Sequence, residues 1–216
     1  LSPDSFMPVA EQIRVVPLID RMMLEKTQRI LGTWRTRGFL PPKVSFNVSA
    51  GRLRDADMVG AARRLQQKGV DVAFELLESI LVEEEDDIFR FNLAAAKDAG
   101  IMIEIDDFGS GHASIIGLME AAPSMLKIDR RLSGGAVDSA QVRQLIASII
   151  QIGRALDIRT TVEGVETERQ AEVLRELGCH VLQGFLYLPP VDHVSLASWA
   201  LGRGAVPGGR TGRAAI

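Results

Sequence analysis

One cysteine, one tyrosine, two tryptophans and three histidines occur in 216 residues, and these scarcities narrow what the chain can be. With Cys179 alone, neither an intrachain disulfide nor a cysteine-based zinc site can form, which fits a reducing compartment. No window approaches about 18 uninterrupted apolar residues, and no basic segment followed by an apolar stretch opens the chain. The expectation is a cytoplasmic domain without membrane contact of its own. Basic residues form no block: 25 Lys and Arg are dispersed among 28 Asp and Glu, for a net charge of −3. Polymeric nucleic acid, whose binding rests on clustered cations, is therefore not an expected partner, whereas a small anionic ligand is compatible. Apolar residues, at 46%, are plentiful. A single domain of this length buries roughly 70% of its unfolded surface, so it needs no covalent staple.

Periodicity separates short apolar or β-branched runs from longer segments of helical spacing. The strand-like runs are Lys43–Asn47, Asp71–Glu75, Ile101–Asp106, Met125–Asp129, Arg159–Glu163 and His180–Gln183. A long helix is expected before the first, over about residues 6–37, with Val9, Ile13, Val16, Ile19, Met23, Thr27 and Ile30 near one face. Lys68-Gly69, Ala99-Gly100 and Leu177-Gly178 each precede a strand, as suits glycine just past a helix C-terminus. Asp138 with Gln141 and Thr167 with Gln170 have the spacing of a capping box. The acidic run Glu83–Asp87 suits the start of a helix, where negative charge complements the macrodipole. Met22, Met23, Met119 and Met125 read as core.

Strands alternating with helices should run parallel with right-handed crossovers, which both a doubly wound sheet and a closed barrel satisfy. Strand-end chemistry favours the barrel. The runs finish on Asn47, Glu75, Asp106, Asp129, Glu163 and Gln183, and only in a barrel do all C-terminal strand ends face one mouth. An eight-stranded barrel needs two strands more, so the expectation is that an N-terminal portion is missing or supplied from elsewhere. Residues 1–201 are expected to form the barrel domain and residues 202–216 a flexible Gly/Arg-rich tail.

Glu75, Asp106, Asp107, Asp129 and Glu163 at one mouth would repel one another, a conflict that a divalent cation resolves. With Asn47 added, and no His or Cys at a strand's C-terminal end, the donors are hard oxygens, which suit Mg²⁺ or Mn²⁺ rather than Zn²⁺. Strand alternation sends one carboxylate of the adjacent pair Asp106-Asp107 into the barrel and the other toward the loop, and such a pair can serve two metals. Lys127, two residues before Asp129, shares its face. It would remain cationic and hold a water or phosphate oxygen; a Schiff-base lysine would need a depressed pKa, which acidic neighbours oppose. Gly109 and Gly111 permit a tight, mobile loop over the mouth. His112 within that loop reads as polar surface rather than a catalytic group.

The segments Phe46-Asn-Val-Ser49, Glu75-Leu-Leu-Glu78, Asp106-Asp-Phe-Gly-Ser-Gly-His112, Leu126-Lys-Ile-Asp129, Val162-Glu-Gly-Val-Glu166 and Gln183-Gly-Phe185 follow in order. Together they resemble the successive motifs of the EAL-domain cyclic-di-GMP phosphodiesterases. The resemblance implies a modified (β/α)₈ TIM-type barrel, here lacking its first two strands. It implies Mg²⁺- or Mn²⁺-dependent hydrolysis of cyclic di-GMP to linear pGpG in bacterial second-messenger signalling. By the same resemblance, Asn47, Glu75, Asp106, Asp107 and Glu163 match metal-binding positions, with Glu163 also catalytic. Lys127 matches the lysine on the attacking water, Asp129 its acidic neighbour and Gln183 a further site residue. Glu78 matches the glutamate that steadies the Gly109–Gly111 loop, and Glu166 an outer acid. A fused or partner sensory or GGDEF-type domain is implied, as is a homodimer, and the chain would be the cytoplasmic domain of a larger signalling protein. The name-giving glutamate lies outside this sequence. Leu77 stands where the family has threonine, Phe185 where it has tyrosine and Glu104 where it has a small residue. The alternative of another class is an EAL-like receptor that binds cyclic di-GMP without cutting it.

Overall fold

A computed structural model describes residues 3–83, 87–111 and 114–202. His112, residues 84–86 of the acidic run and the tail from residue 203 onward lie outside the described residues. The chain forms two compact units, Leu1–Ile103 and Glu104–Ile216.

The first unit contains α1 (Pro3–Gln12), α2 (Val16–Thr36), β1 (Lys43–Asn47), α3 (Ala50–Leu53), α4 (Met58–Gln66), β2 (Asp71–Leu77), α5 (Ile80–Glu83) and α6 (Asp87–Asp98). β1 and β2 are parallel and paired without a shift, from Lys43 opposite Asp71 to Asn47 opposite Glu75. In β2, Val72, Ala73, Phe74 and Leu76 are all buried. Burial on both pleat faces is what a parallel strand covered by helices requires.

The single N-terminal helix expected from periodicity is two helices. Arg14 adopts a left-handed conformation, with φ of +57°, which ends α1. Pro17, lacking an N–H, then suits the first turn of α2. The break rotates the apolar face. Val9, Ile13 and Met23 are exposed, and α2 buries Leu24, Leu31 and Trp34 instead. Met22 and Met119 are exposed as well, so of the four methionines read as core only Met125 is buried.

β3 (Met102–Phe108) leads into the second unit, followed by α7 (Ile115–Ala121), β4 (Met125–Ile128), α8 (Arg130–Gly135), α9 (Ala140–Ala155), β5 (Arg159–Val162), α10 (Glu168–Glu176), β6 (Val181–Leu182) and α11 (His193–Ala200). β4 pairs in parallel with β3 on one side and β5 on the other, and β6 pairs with β5. Every β4 residue is buried, Lys127 included. Thr167 and Gln170 form the expected capping box at α10. At α9 the cap is Ser139, whose side chain accepts from the Val142 N–H, rather than Asp138. Gly69, Gly100 and Gly178 all have positive φ at helix ends, as their positions before strands predict.

Candidate active site

The site in the second unit begins with an irregularity in a strand. Ile105 lies opposite Leu126 and Phe108 opposite Ile128, so Asp106 and Asp107 together face Lys127 alone. Two residues against one is a β-bulge, which kinks the strand and re-aims side chains. Asp107 takes the strain, with φ of +54°. Aspartate tolerates this left-handed region better than most residues with a Cβ. The regular alternation expected at sequence level is thereby broken. Carboxylate oxygens of Asp106, Asp107 and Glu163 all lie within 4.8 Å of one another.

Glu163 follows β5, and its backbone N–H donates to the Ile128 carbonyl at 3.1 Å, continuing the ladder past the strand. Lys127 reaches both sides of the cluster. Its Nζ lies 2.9 Å from Asp106 Oδ1 and 2.8 Å from Glu163 Oε1, with only 7% of the lysine side chain exposed. The Asp106 Oδ1 atom is buried, and no contact to it meets hydrogen-bond geometry, so the lysine's hold on it is ionic. Burial pushes the Glu163 carboxyl up, opposed by Lys127. Burial also raises Asp107, helped by the negative charges of Asp106 and Asp129.

Asp129 is 4% exposed and turned onto α8. Its Oδ1 accepts from the Arg131 backbone N–H at 2.8 Å, as a helix N-cap, and its Oδ2 accepts from Arg131 Nε at 2.7 Å and from Nη2. The guanidinium holds the Asp129 carboxyl below its usual range. Arg131 escaped the sequence reading, although an arginine two residues beyond an N-cap aspartate is a legible signal for such a pair.

The Gly109–Gly111 segment leaves the cluster with both glycines at positive φ. A Cβ on Gly109 would sit 3.1 Å from Leu132 and 3.2 Å from Ile149, so the loop lies close against α8 and α9. Gln183 is exposed, and its backbone donates to the Val162 carbonyl and accepts from the Val165 N–H. Glu166 is exposed, and its N–H donates to Gln170 Oε1.

The first unit carries the other expected residues. Asn47, the last residue of β1, is the register partner of Glu75, which lies inside β2 because that strand runs two residues past its expected end, and this puts one neutral and one anionic oxygen donor at the same level. Beyond Asn47 the chain is anchored by Asp20, whose Oδ2 accepts from Ser49 N–H at 3.0 Å and Ser49 Oγ at 2.7 Å. Glu78 is 2% exposed, just past the end of β2. Leu77 is exposed, as is Phe185 in the second unit, while Glu104 is buried.

Comparison with known proteins adds an independent line. The model of the EAL domain matches residues 1–190. The bifunctional diguanylate cyclase/cyclic di-GMP phosphodiesterase MucR of Pseudomonas aeruginosa is 31% identical over 195 residues, which are 88% of this chain and 28% of that protein. The chain thus spans between 25% and 40% of the length of curated relatives that it matches. Among solved structures, the PaMucR phosphodiesterase in its c-di-GMP complex superposes with a TM-score of 0.79 at 30% identity, covering 91% of this chain and 81% of that one. BlrP1 of Klebsiella pneumoniae, solved as a manganese/cy-diGMP complex, gives a TM-score of 0.70 at 27% identity, covering 81% and 45%. These likenesses bear out the α/β, TIM-type architecture expected from the strand-end pattern.

Proposed function

The chain belongs to the EAL domain family, and on that premise we propose that it hydrolyses cyclic di-GMP to linear pGpG with Mg²⁺ or Mn²⁺. The observation that carries this reading is the convergence of Asp106, Asp107 and Glu163 around the Lys127 ammonium. Three carboxylates supply hard oxygen donors, and the buried Asp106 Oδ1 is short of hydrogen bonds, so this donor set fits such a cation. Asp106, Asp107 and Glu163 would hold it; Asn47 and Glu75 take the metal-ligand role that the family resemblance gives them. When bound, the cation supplies Lewis-acid polarisation of a phosphodiester and activation of water.

The protein's own groups do the rest. Lys127, held by two carboxylates, keeps its proton and can donate to the attacking water or to a phosphate oxygen. Glu163, whose Oε1 lies 2.8 Å from the Lys127 ammonium, can take a proton from that water at Oε2. Arg131 fixes Asp129 beside Asp107, and the positive φ of Gly109 and Gly111 turns the chain as it leaves the cluster. Gln183, Glu166 and Glu78 take supporting roles in binding and in loop placement.

The relatives' greater length supports a larger signalling protein in which this domain is fused to, or partnered by, a sensory or GGDEF-type module. Among the described residues no helix is long and apolar enough to cross a membrane, and we place the domain in the cytoplasm. The test is incubation with cyclic di-GMP and Mg²⁺ or Mn²⁺, followed by chromatography. Linear pGpG should accumulate and should fall at least about 100-fold with Glu163→Gln. Tight binding without linear product would instead make the domain a receptor.

A further inference from the structure

Asp129 lies close enough to the acidic cluster for its charge to raise Asp107, yet it is not one of the three acids whose oxygens converge. Both of its oxygens are committed elsewhere. Oδ1 caps α8 through the Arg131 backbone N–H, and Oδ2 takes two guanidinium donors from the same residue. A forked guanidinium on a carboxylate is among the strongest of side-chain pairs. The arginine side chain is 68% exposed and the aspartate 5%, so this pair closes over the acid from the solvent side.

We propose that Arg131 is a positioning residue of the site: it keeps Asp129 on the N-terminus of α8, out of the cation's donor set, and thereby weakens divalent-cation binding. This rests on the cation reading given above, and its sign is its distinguishing mark. Removing the guanidinium leaves an uncompensated carboxylate beside the cluster, which attracts a cation. Removing the aspartate's charge leaves an uncompensated guanidinium, which repels one. A purely structural role for the pair predicts instead that either substitution weakens binding, or that neither matters.

The experiment is a titration of chelator-stripped protein with Mn²⁺, read as free Mn²⁺ by electron paramagnetic resonance. Arg131→Gln keeps the backbone cap and most of the side-chain stem. Asp129→Asn keeps a cap-competent oxygen. Arg131→Gln should bind Mn²⁺ about fivefold more tightly and Asp129→Asn about fivefold more weakly, with the double variant within about twofold of wild type. If the wild type binds Mn²⁺ and Arg131→Gln binds it equally or less well, the role given to Arg131 is overturned and the cation reading stands. If the wild type binds no Mn²⁺, the cation reading fails and takes this role with it. Should Arg131→Gln not fold, Arg131→Ala at this 68% exposed side chain takes its place: tighter Mn²⁺ binding supports the proposal, and equal or weaker binding overturns it.

Discussion

Replacing Lys127 by methionine tests how the carboxylate cluster is held together. Methionine fills nearly the volume of the lysine stem, so the change removes a charge without opening a large cavity. In the native protein one Nζ lies 2.9 Å from Asp106 Oδ1 and 2.8 Å from Glu163 Oε1, and the two acidic side chains are only 16% and 18% exposed. Removing one partner of a buried ion pair costs about 3–5 kcal/mol, because the other charge is left uncompensated. Here both acids retain some contact with water, so the lower end applies: a loss of about 3 kcal/mol at neutral pH without divalent cation. The assay is urea denaturation in a chelator. The pH dependence follows from the sign of the shift. Burial already raises the Glu163 carboxyl above its unfolded value, and loss of the ammonium raises it further. A raised carboxyl destabilises the fold while ionised, and the penalty fades as pH falls toward its folded pKa. The deficit should therefore shrink as the pH is lowered from 8. Mn²⁺ should also restore more stability to the variant than it adds to the wild type. A deficit below about 1 kcal/mol at pH 8, or one that grows on acidification, would refute the claim that Lys127 is the principal counter-charge of the cluster.

Other consequences are open to similarly direct measurement. Gly184→Ala should cost about 3 kcal/mol in chemical denaturation or prevent folding, because a Cβ there would lie 2.1 Å from the Val165 carbonyl oxygen and 2.3 Å from its nitrogen. Thr167→Ala removes the side-chain half of the α10 capping box and should lower stability by about 1 kcal/mol. Asp57 pairs with the fully buried Arg52 guanidinium at 2.7 Å, which holds its carboxyl below the usual value. A depressed carboxyl stabilises above its unfolded pKa and loses that contribution as pH falls through its folded pKa. Asp57→Asn should then cost at most about 1 kcal/mol at pH 7, since the aspartate is half exposed, and its effect should vanish under strongly acidic conditions.

What the amino-acid order determined by itself is whatever depends on neighbours along the chain. The β-branched runs mark β1 to β6 because alternation and buried runs need only a few consecutive residues. Glycines after α4, α6 and α10, and the Thr167–Gln170 box, are legible because helix ends are satisfied locally. The chemical type of the site, hard oxygen donors at strand ends with one lysine among them, was equally visible. Tertiary structure decided the rest. The two-against-one pairing of Asp106 and Asp107 with Lys127 depends on register across two strands, as does the approach of oxygens of Asp106, Asp107 and Glu163 to within 4.8 Å of one another. The capture of Asp129 by Arg131 depends on how α8 leaves β4. Likewise the turn at Arg14 split the N-terminal helix and moved Met22 and Met23 to the surface, because a helix face is fixed by what packs on it and not by period alone.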